Sequence, residues 1–353
     1  TNSYKFYWFL AILDELIEGK TTILKMENLA IRMLTQVWYP LDFYKLSFGK
    51  QDSFKGIVQG ITSKISIDNS INSPDLFQQI NDDLNTDEKR QVNKEILGLL
   101  KWVPYRFIRP FFAEKLKGEK DYKVNKLIKQ FANKSFEGKR HQSIYRFIDN
   151  HKIEVDNYWA EYFNKNQQII RGFIYWNLLQ FLQKNNPNVI GLSEKLFKPS
   201  KRDFKTAKKF WGSYLQAQKK FSCIYSKQFI TNTFSIDHFL PWSYVAHDEL
   251  WNLVPTLKKV NSSKNNNLPS INQYLDPFIR LQYKAFHSFY KKANGDENQL
   301  KVLESYATLF NTSFEEIAKL PQKQFKQKIK DTLIPMHQIA QNMGFSSNWT
   351  YQP

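Results

Sequence analysis

Apolar positions recur at helical spacing from the first residues of the chain. Over residues 3–18 they follow a repeat of three and four, with Asn2 or Ser3 as the start and Gly19 as the stop. Met26 to Trp38 repeats the pattern and ends before Pro40, whose ring fixes φ and removes an amide donor. Further helices are predicted over 51–64, 74–84 and 86–100, with Ser73-Pro74 and Thr86 as starts. Trp102 to Phe112 holds Pro104 and Pro110 and predicts a loop or linker, dividing an N-terminal helical region, 1–103, from a second helical and basic region, 104–220. Within the latter, Val155, Trp159, Tyr162, Ile169 and Phe173 mark one long stripe over 155–184, stopped by Asn185-Asn186-Pro187.

The pattern changes after residue 220. Cys223–Lys227 and Phe234–Leu240 are short runs rich in aromatic and β-branched residues, joined through Thr231, Asn232 and Thr233, and predict a β-hairpin. Pro241 ends it, Trp242 to Thr256 reads as a long loop with apolar anchors, and Leu257 to Asn267 returns to helical spacing before Pro269. Helices near 272–292, 297–310, 313–319 and 322–331 fill a C-terminal region, 271–353. The expected class is α+β: a predominantly α-helical chain with an embedded module of hairpin, long loop and one helix over 221–270.

That module carries the candidate chemistry. Asp237 and His238 stand together at the end of an apolar strand, Asn252 follows fifteen residues after Asp237, Asn261 nine after that, and Lys264 one helical turn later. Hydrolysis of a phosphodiester needs an activated water, charge compensation on the phosphate and stabilisation of a leaving alkoxide, of which one divalent cation supplies the last two. Mg²⁺ takes only one or two protein oxygens beside its waters, so the Asp237 carboxylate and the Asn261 amide oxygen suffice. His238 is then the base, because an imidazole accepts a proton near neutrality without a large shift. Successive strand residues alternate faces, so Asp237 and His238 should point apart, with the strand ending or twisting there.

In residue order, spacing and the surrounding Pro241, Ser243, Trp251, Pro255 and Pro269, the run from Asp237 to Ser270 resembles the HNH family of His-Me finger, ββα-metal nucleases. The spacing from the Asp-His pair to both asparagines and the lysine is similar to that of the HNH domain of Cas9-type proteins. The resemblance implies a divalent-metal-dependent endonuclease hydrolysing DNA and leaving 5′-phosphate and 3′-hydroxyl ends. It assigns His238 and Asn252 to catalysis, Asn252 by holding the loop and orienting the histidine, and places Lys264 at a phosphate oxygen. Asp237 and Asn261 would hold Mg²⁺ or Mn²⁺. The segment from Tyr175 into the module is similar to stretches preceding the HNH core in bacterial restriction or antiphage-defence nucleases. Two alternatives stay open: a DNA-binding, sensor or interaction subunit that needs a partner or guide component before it cuts, and a nuclease for structured RNA.

Cysteine usage narrows the module. Many HNH domains add two Cys-x-x-Cys pairs around zinc, but Cys223 is the only cysteine here and Ser226 stands where its pair would be. No structural zinc is expected. One cysteine excludes an internal disulfide and fits a reducing cytoplasm. An apolar fraction of 42% excludes wholesale disorder, and Phe6 to Leu13 is too short to span a bilayer, so the expectation is a soluble cytoplasmic protein without membrane contact.

Charge points to the partner. The formal net charge is +18, and residues 195–227 alone hold ten Lys or Arg against Asp203, whereas 228–270 is neutral. Lys201, Arg202, Lys205, Lys208 and Lys209, interleaved with Phe204, Phe210, Trp211 and Tyr214, are candidates for gripping a phosphate backbone beside the module. Gly19-Lys20-Thr21-Thr22 lacks the earlier glycine of a phosphate-binding loop, and no Gly-x-Ser-x-Gly elbow is present.

Overall fold

A dense apolar repeat makes the first helix the buried centre of the N-terminal half. In this computed structural model, which describes residues 3–49, 52–67, 73–137, 141–197, 202–218, 220–230 and 233–353, the chain divides into two compact units. The first is residues 1–187 with 192–199, and the second residues 188–191 with 200–353.

In the first unit, α1 (Tyr4–Gly19) buries Tyr7, Trp8, Leu10, Ala11, Ile12, Leu13 and Leu16 and ends at Lys20 in the left-handed region, φ 47°. A short β1 (Ile23–Lys25) leads into α2 (Met26–Trp38), which packs on α1. Around them stand α3 (Phe54–Thr62), α4 (Ser73–Asp83), α5 (Thr86–Gly98), α6 (Val103–Ile108) and α7 (Asp121–Ser135). The α5 start is fixed by Asn85, whose side chain accepts from the Glu88 amide while Glu88 reaches back to the Asn85 amide. An antiparallel sheet in the order β1, β3 (Lys152–Val155), β2 (Tyr145–Phe147) puts Ile153 opposite both Leu24 and Phe147. Then come α8 (Asn157–Lys165) and α9 (Gln167–Asn185).

The second unit opens with α10 (Lys205–Gln216), then the antiparallel pair β4 (Ser235–His238) and β5 (Leu253–Thr256), with α11 (Trp242–Val245) between them and α12 (Lys258–Lys264) behind. The long α13 (Ile271–Ala293) is its spine, packed against α10, α14 (Glu297–Leu300), α16 (Phe314–Lys319) and α17 (Gln322–Asn342), while α15 (Glu304–Phe310) packs on α16. Phe210, Trp211, Tyr214 and residues of β4, β5 and α13 share one apolar core. No described helix is long and apolar enough to cross a membrane.

The expected α+β class is what folds; the small sheet of the first unit, within regions expected to be helical, is one departure, and four more are local. Trp102–Phe112 is helical, because Pro104 and Pro110 occupy first-turn positions where a missing amide costs nothing. The 155–184 stripe is a strand end plus two helices, broken where Asn166 leaves helical geometry at φ −111°, ψ 19°. Cys223–Lys227 is a turn closed by a lone bridge between Ser222 and Phe229, with Lys227 at φ 60°, so the hairpin partner expected there is supplied instead by β5 out of the supposed loop. The last helix runs on to Asn342 through Pro335. Lys201, Thr231 and Asn232 lie outside the described residues.

One buried hydroxyl ties the first unit together. The indole Nε1 of Trp8 donates to the Tyr145 hydroxyl at 3.1 Å, and that hydroxyl donates to the Pro104 carbonyl. Tyr145→Phe leaves both groups unpaired in the core, and denaturant unfolding should show a loss of about 2–4 kcal/mol.

Candidate functional site

Pro255 explains how the site's sheet forms from an unpromising sequence. The Phe239 amide donates to the Asn252 carbonyl at 2.7 Å, which makes that pair, and by alternation Asp237 with Val254, the hydrogen-bonded ones. Pro255 therefore faces Ile236 at a non-bonded position, where an amide is not required. The strand ends at His238, with Asp237 and His238 engaged by different neighbours.

Asp237 is held from two sides. The Tyr225 hydroxyl donates to its Oδ2 at 2.8 Å, and the Lys264 ammonium lies 3.3 Å from its Oδ1. Lys264, on α12, also donates to the His238 carbonyl at 2.6 Å. Burial pulls the Lys264 pKa down, opposed by the Asp237 carboxylate, and pushes that of Tyr225 well up, reinforced by the same carboxylate.

His238 turns to another set of neighbours. Its Nε2 lies 2.8 Å from Asp248 Oδ1, and the Phe204 ring packs against it with centroids 5.9 Å apart. A carboxylate only accepts, so Nε2 carries the hydrogen and Nδ1 keeps the lone pair. Burial lowers the imidazole pKa despite the raising effect of Asp248, which favours the neutral, proton-accepting form. The Arg202 guanidinium, whose charge acts in the same lowering direction, stacks over Phe204 at 5.7 Å and Trp242 at 5.6 Å.

The two asparagines take different places. Asn252, fully buried, accepts from the Leu240 amide at 2.8 Å and donates to the Leu240 carbonyl at 2.9 Å, clasping the chain just after His238. Asn261, on α12, donates to Ser235 Oγ at 2.8 Å and to the Ile236 carbonyl at 3.2 Å, while its oxygen accepts no hydrogen bond among the described residues. The 250–253 segment is braced from outside the module: Gln282 of α13 donates to the Leu253 carbonyl at 2.7 Å and accepts from Tyr306.

Asp237, Lys264 and the His238 carbonyl thus meet at one place, with Asn261 anchored one residue earlier on β4, the His238 ring turned to Asp248, and Asn252 clasping the chain beyond. Lys264 departs from its expected position: with its side chain 0% exposed and spent on Asp237 and His238, it is not placed to meet a phosphate from solvent. Arg202, Lys205, Lys208 and Lys209 are exposed, Arg202 beside His238 and the lysines along α10. The aromatics among them are core instead, with Phe210 and Trp211 fully buried. Sequence reasoning missed the part that Tyr225 and Asp248 play at the site, and the packing of Phe204 on His238. Asp248 had only a faint signal, an acid ten residues after the histidine with Glu249 beside it.

A hard cation suits the donors present. The carboxylate of Asp237 and the side-chain oxygen of Asn261 are the hard oxygen donors that could serve it, and the Asn261 amide is anchored to the carbonyl of the residue preceding Asp237. No three His, Cys, Asp or Glu side chains cluster among the described residues. The Cys223 thiol is buried 3.1 Å from Thr256 Oγ1 on β5.

Residues 223–270 match the family model described as HNH endonuclease. No curated protein and no solved structure matches the chain. The second unit therefore holds a segment matching an HNH nuclease domain, a family that implies nucleic acid as its substrate class.

The Asn252 clasp gives a direct test. Asn252→Ala leaves the Leu240 amide and carbonyl buried and unpaired, and Asn252→Asp sets an oxygen against the carbonyl. Both should lower unfolding free energy by about 2–4 kcal/mol in denaturant titrations.

Proposed function

We propose that this HNH domain is a Mg²⁺- or Mn²⁺-dependent endonuclease that cuts DNA, in restriction or antiphage defence, in a cytoplasmic setting. The observation that carries the reading is the pairing of His238 Nε2 with Asp248, next to a carboxylate pinned by Tyr225 and Lys264. His238 takes the proton of the attacking water at Nδ1, and Asp248 stabilises the imidazolium that results. Asp237 and Asn261 would hold the cation, which supplies charge compensation on the phosphate and at the leaving oxygen when bound. Asn252 fixes the turn after His238 and so the ring's position. Lys264 acts from below, neutralising Asp237 and holding the strand end through the His238 carbonyl.

Binding is assigned to the exposed cations of the second unit. Arg202 is the one closest to the chemistry, since it influences His238 directly, and Lys205, Lys208 and Lys209 extend positive charge along α10. Interactions of this kind position a duplex without reading its sequence.

One observation favours a second reading, in which cutting waits for a partner protein, guide or sensor component. The side chains of His238 and Asp237 are each only 4% exposed, so phosphate and water reach them after a local opening. Purified chain mixed with plasmid DNA and Mg²⁺ or Mn²⁺ separates the readings: cutting without additions supports the first, and cutting only after a partner is added supports the second. Parallel digestion of structured RNA checks the substrate.

His238→Ala should abolish plasmid nicking, by about 10²-fold or more, while DNA binding measured by fluorescence anisotropy stays near wild type. Equal cutting by this variant rejects the assignment. Replacing Arg202, Lys205, Lys208 and Lys209 together by Gln should weaken binding evenly across DNA sequences. The slope of log affinity against log salt should also become shallower, by roughly one for each phosphate that is no longer neutralised.

A further inference from the structure

The geometry points to Tyr225 as a positioning residue for the Asp237 carboxylate, its ring held in place by α13 and the C-terminal segment, both outside the family match. This rests on the reading of Asp237 as a metal ligand. A carboxylate has two oxygens and a soft torsion, and a cation bound through one of them benefits when the other is tied down. Here the Tyr225 hydroxyl takes Oδ2 at 2.8 Å, a bond to a charged acceptor in a buried setting. Oδ1 is left toward the Lys264 ammonium at 3.3 Å, the longer of the two distances. Oδ1 is thus the oxygen free to exchange between an ammonium and a metal ion.

The phenol is itself immobilised. Tyr274 of α13 meets its ring edge-on with centroids 5.1 Å apart, and Trp349 does so at 5.3 Å. Trp349 belongs to a segment tied to the residues just after α12: its amide donates to the Leu268 carbonyl at 2.9 Å, its carbonyl accepts from the Ser270 amide at 2.9 Å, and the Leu268 amide donates to the Ser346 carbonyl at 2.7 Å. The Tyr351 amide donates to the Tyr274 hydroxyl at 3.1 Å, closing the strap over both rings. The turn at 224–227, with Lys227 at positive φ and its ammonium on the Ile224 carbonyl at 2.9 Å, presents Tyr225 to this pocket.

Tyr225→Phe keeps the ring and its packing and removes only the hydroxyl. Binding of Mn²⁺ to the full chain without DNA, followed by calorimetry or by the spin resonance of free Mn²⁺, should weaken about tenfold, at the lower end of what loss of such a partner costs a metal site. The Mn²⁺ concentration for half-maximal cutting should rise by the same factor, with the rate at saturating metal within about twofold of wild type. Trp349→Leu, which frees the ring without touching the carboxylate, should shift metal affinity in the same direction. Wild-type Mn²⁺ affinity in Tyr225→Phe, together with abolished binding in Asp237→Ala, overturns the inference and leaves the metal assignment standing. Retained binding in Asp237→Ala overturns the metal assignment and the inference with it.

Discussion

A carboxylate and an ammonium buried side by side govern the second unit. Two charges removed from water offset their desolvation only if every remaining donor and acceptor finds a partner. Asp237 therefore requires the Tyr225 hydroxyl, and Lys264 requires the His238 carbonyl in addition to the carboxylate. Those bonds fasten the 224–227 turn, the end of β4 and the end of α12 to one point. Removing either charge alone would strand the other, at a cost of about 3–5 kcal/mol.

Outward from that point, each layer restrains the next. Asn252 clasps Leu240, Gln282 holds the Leu253 carbonyl, and Tyr306 holds Gln282, so that α13 and α15 brace a sheet too small to stand alone. The nuclease module is thus a local feature of a larger core that runs from α10 to the C-terminal segment. This accounts for a family match confined to 223–270 within a unit that extends to residue 353.

Much of this was legible in the sequence, for identifiable reasons. Helices such as α1, α2 and α13 carry dense apolar repeats with clear stops, and the run over 223–270 was recognisable as HNH-like from its residue order and spacing. The sheet of the first unit was not legible, since strands of three or four residues are too short for their alternation to stand out and β1 finds β3 only across a long stretch of chain. β5 was hidden by Pro255, whose tolerance depends on which pairs of the ladder are bonded. Lys264 was expected at a phosphate oxygen, and its burial instead rests on a carboxylate partner twenty-seven residues earlier, which no local pattern announces. Tyr225 and Asp248 matter through hydrogen bonds to residues twelve and ten positions away, which no local pattern reveals.

The sole thiol of the chain sits beneath this sheet. Cys223 is wholly shielded, its sulfur against the Thr256 hydroxyl on β5. A maleimide or disulfide reagent reaches it when the packing around it opens, whether β5 or the turn that carries it moves. Because no second cysteine competes for the label, the rate of modification reads the frequency of local opening at this point of the core. The protein thereby carries its own gauge of how often this part of its core opens, with no engineered probe needed.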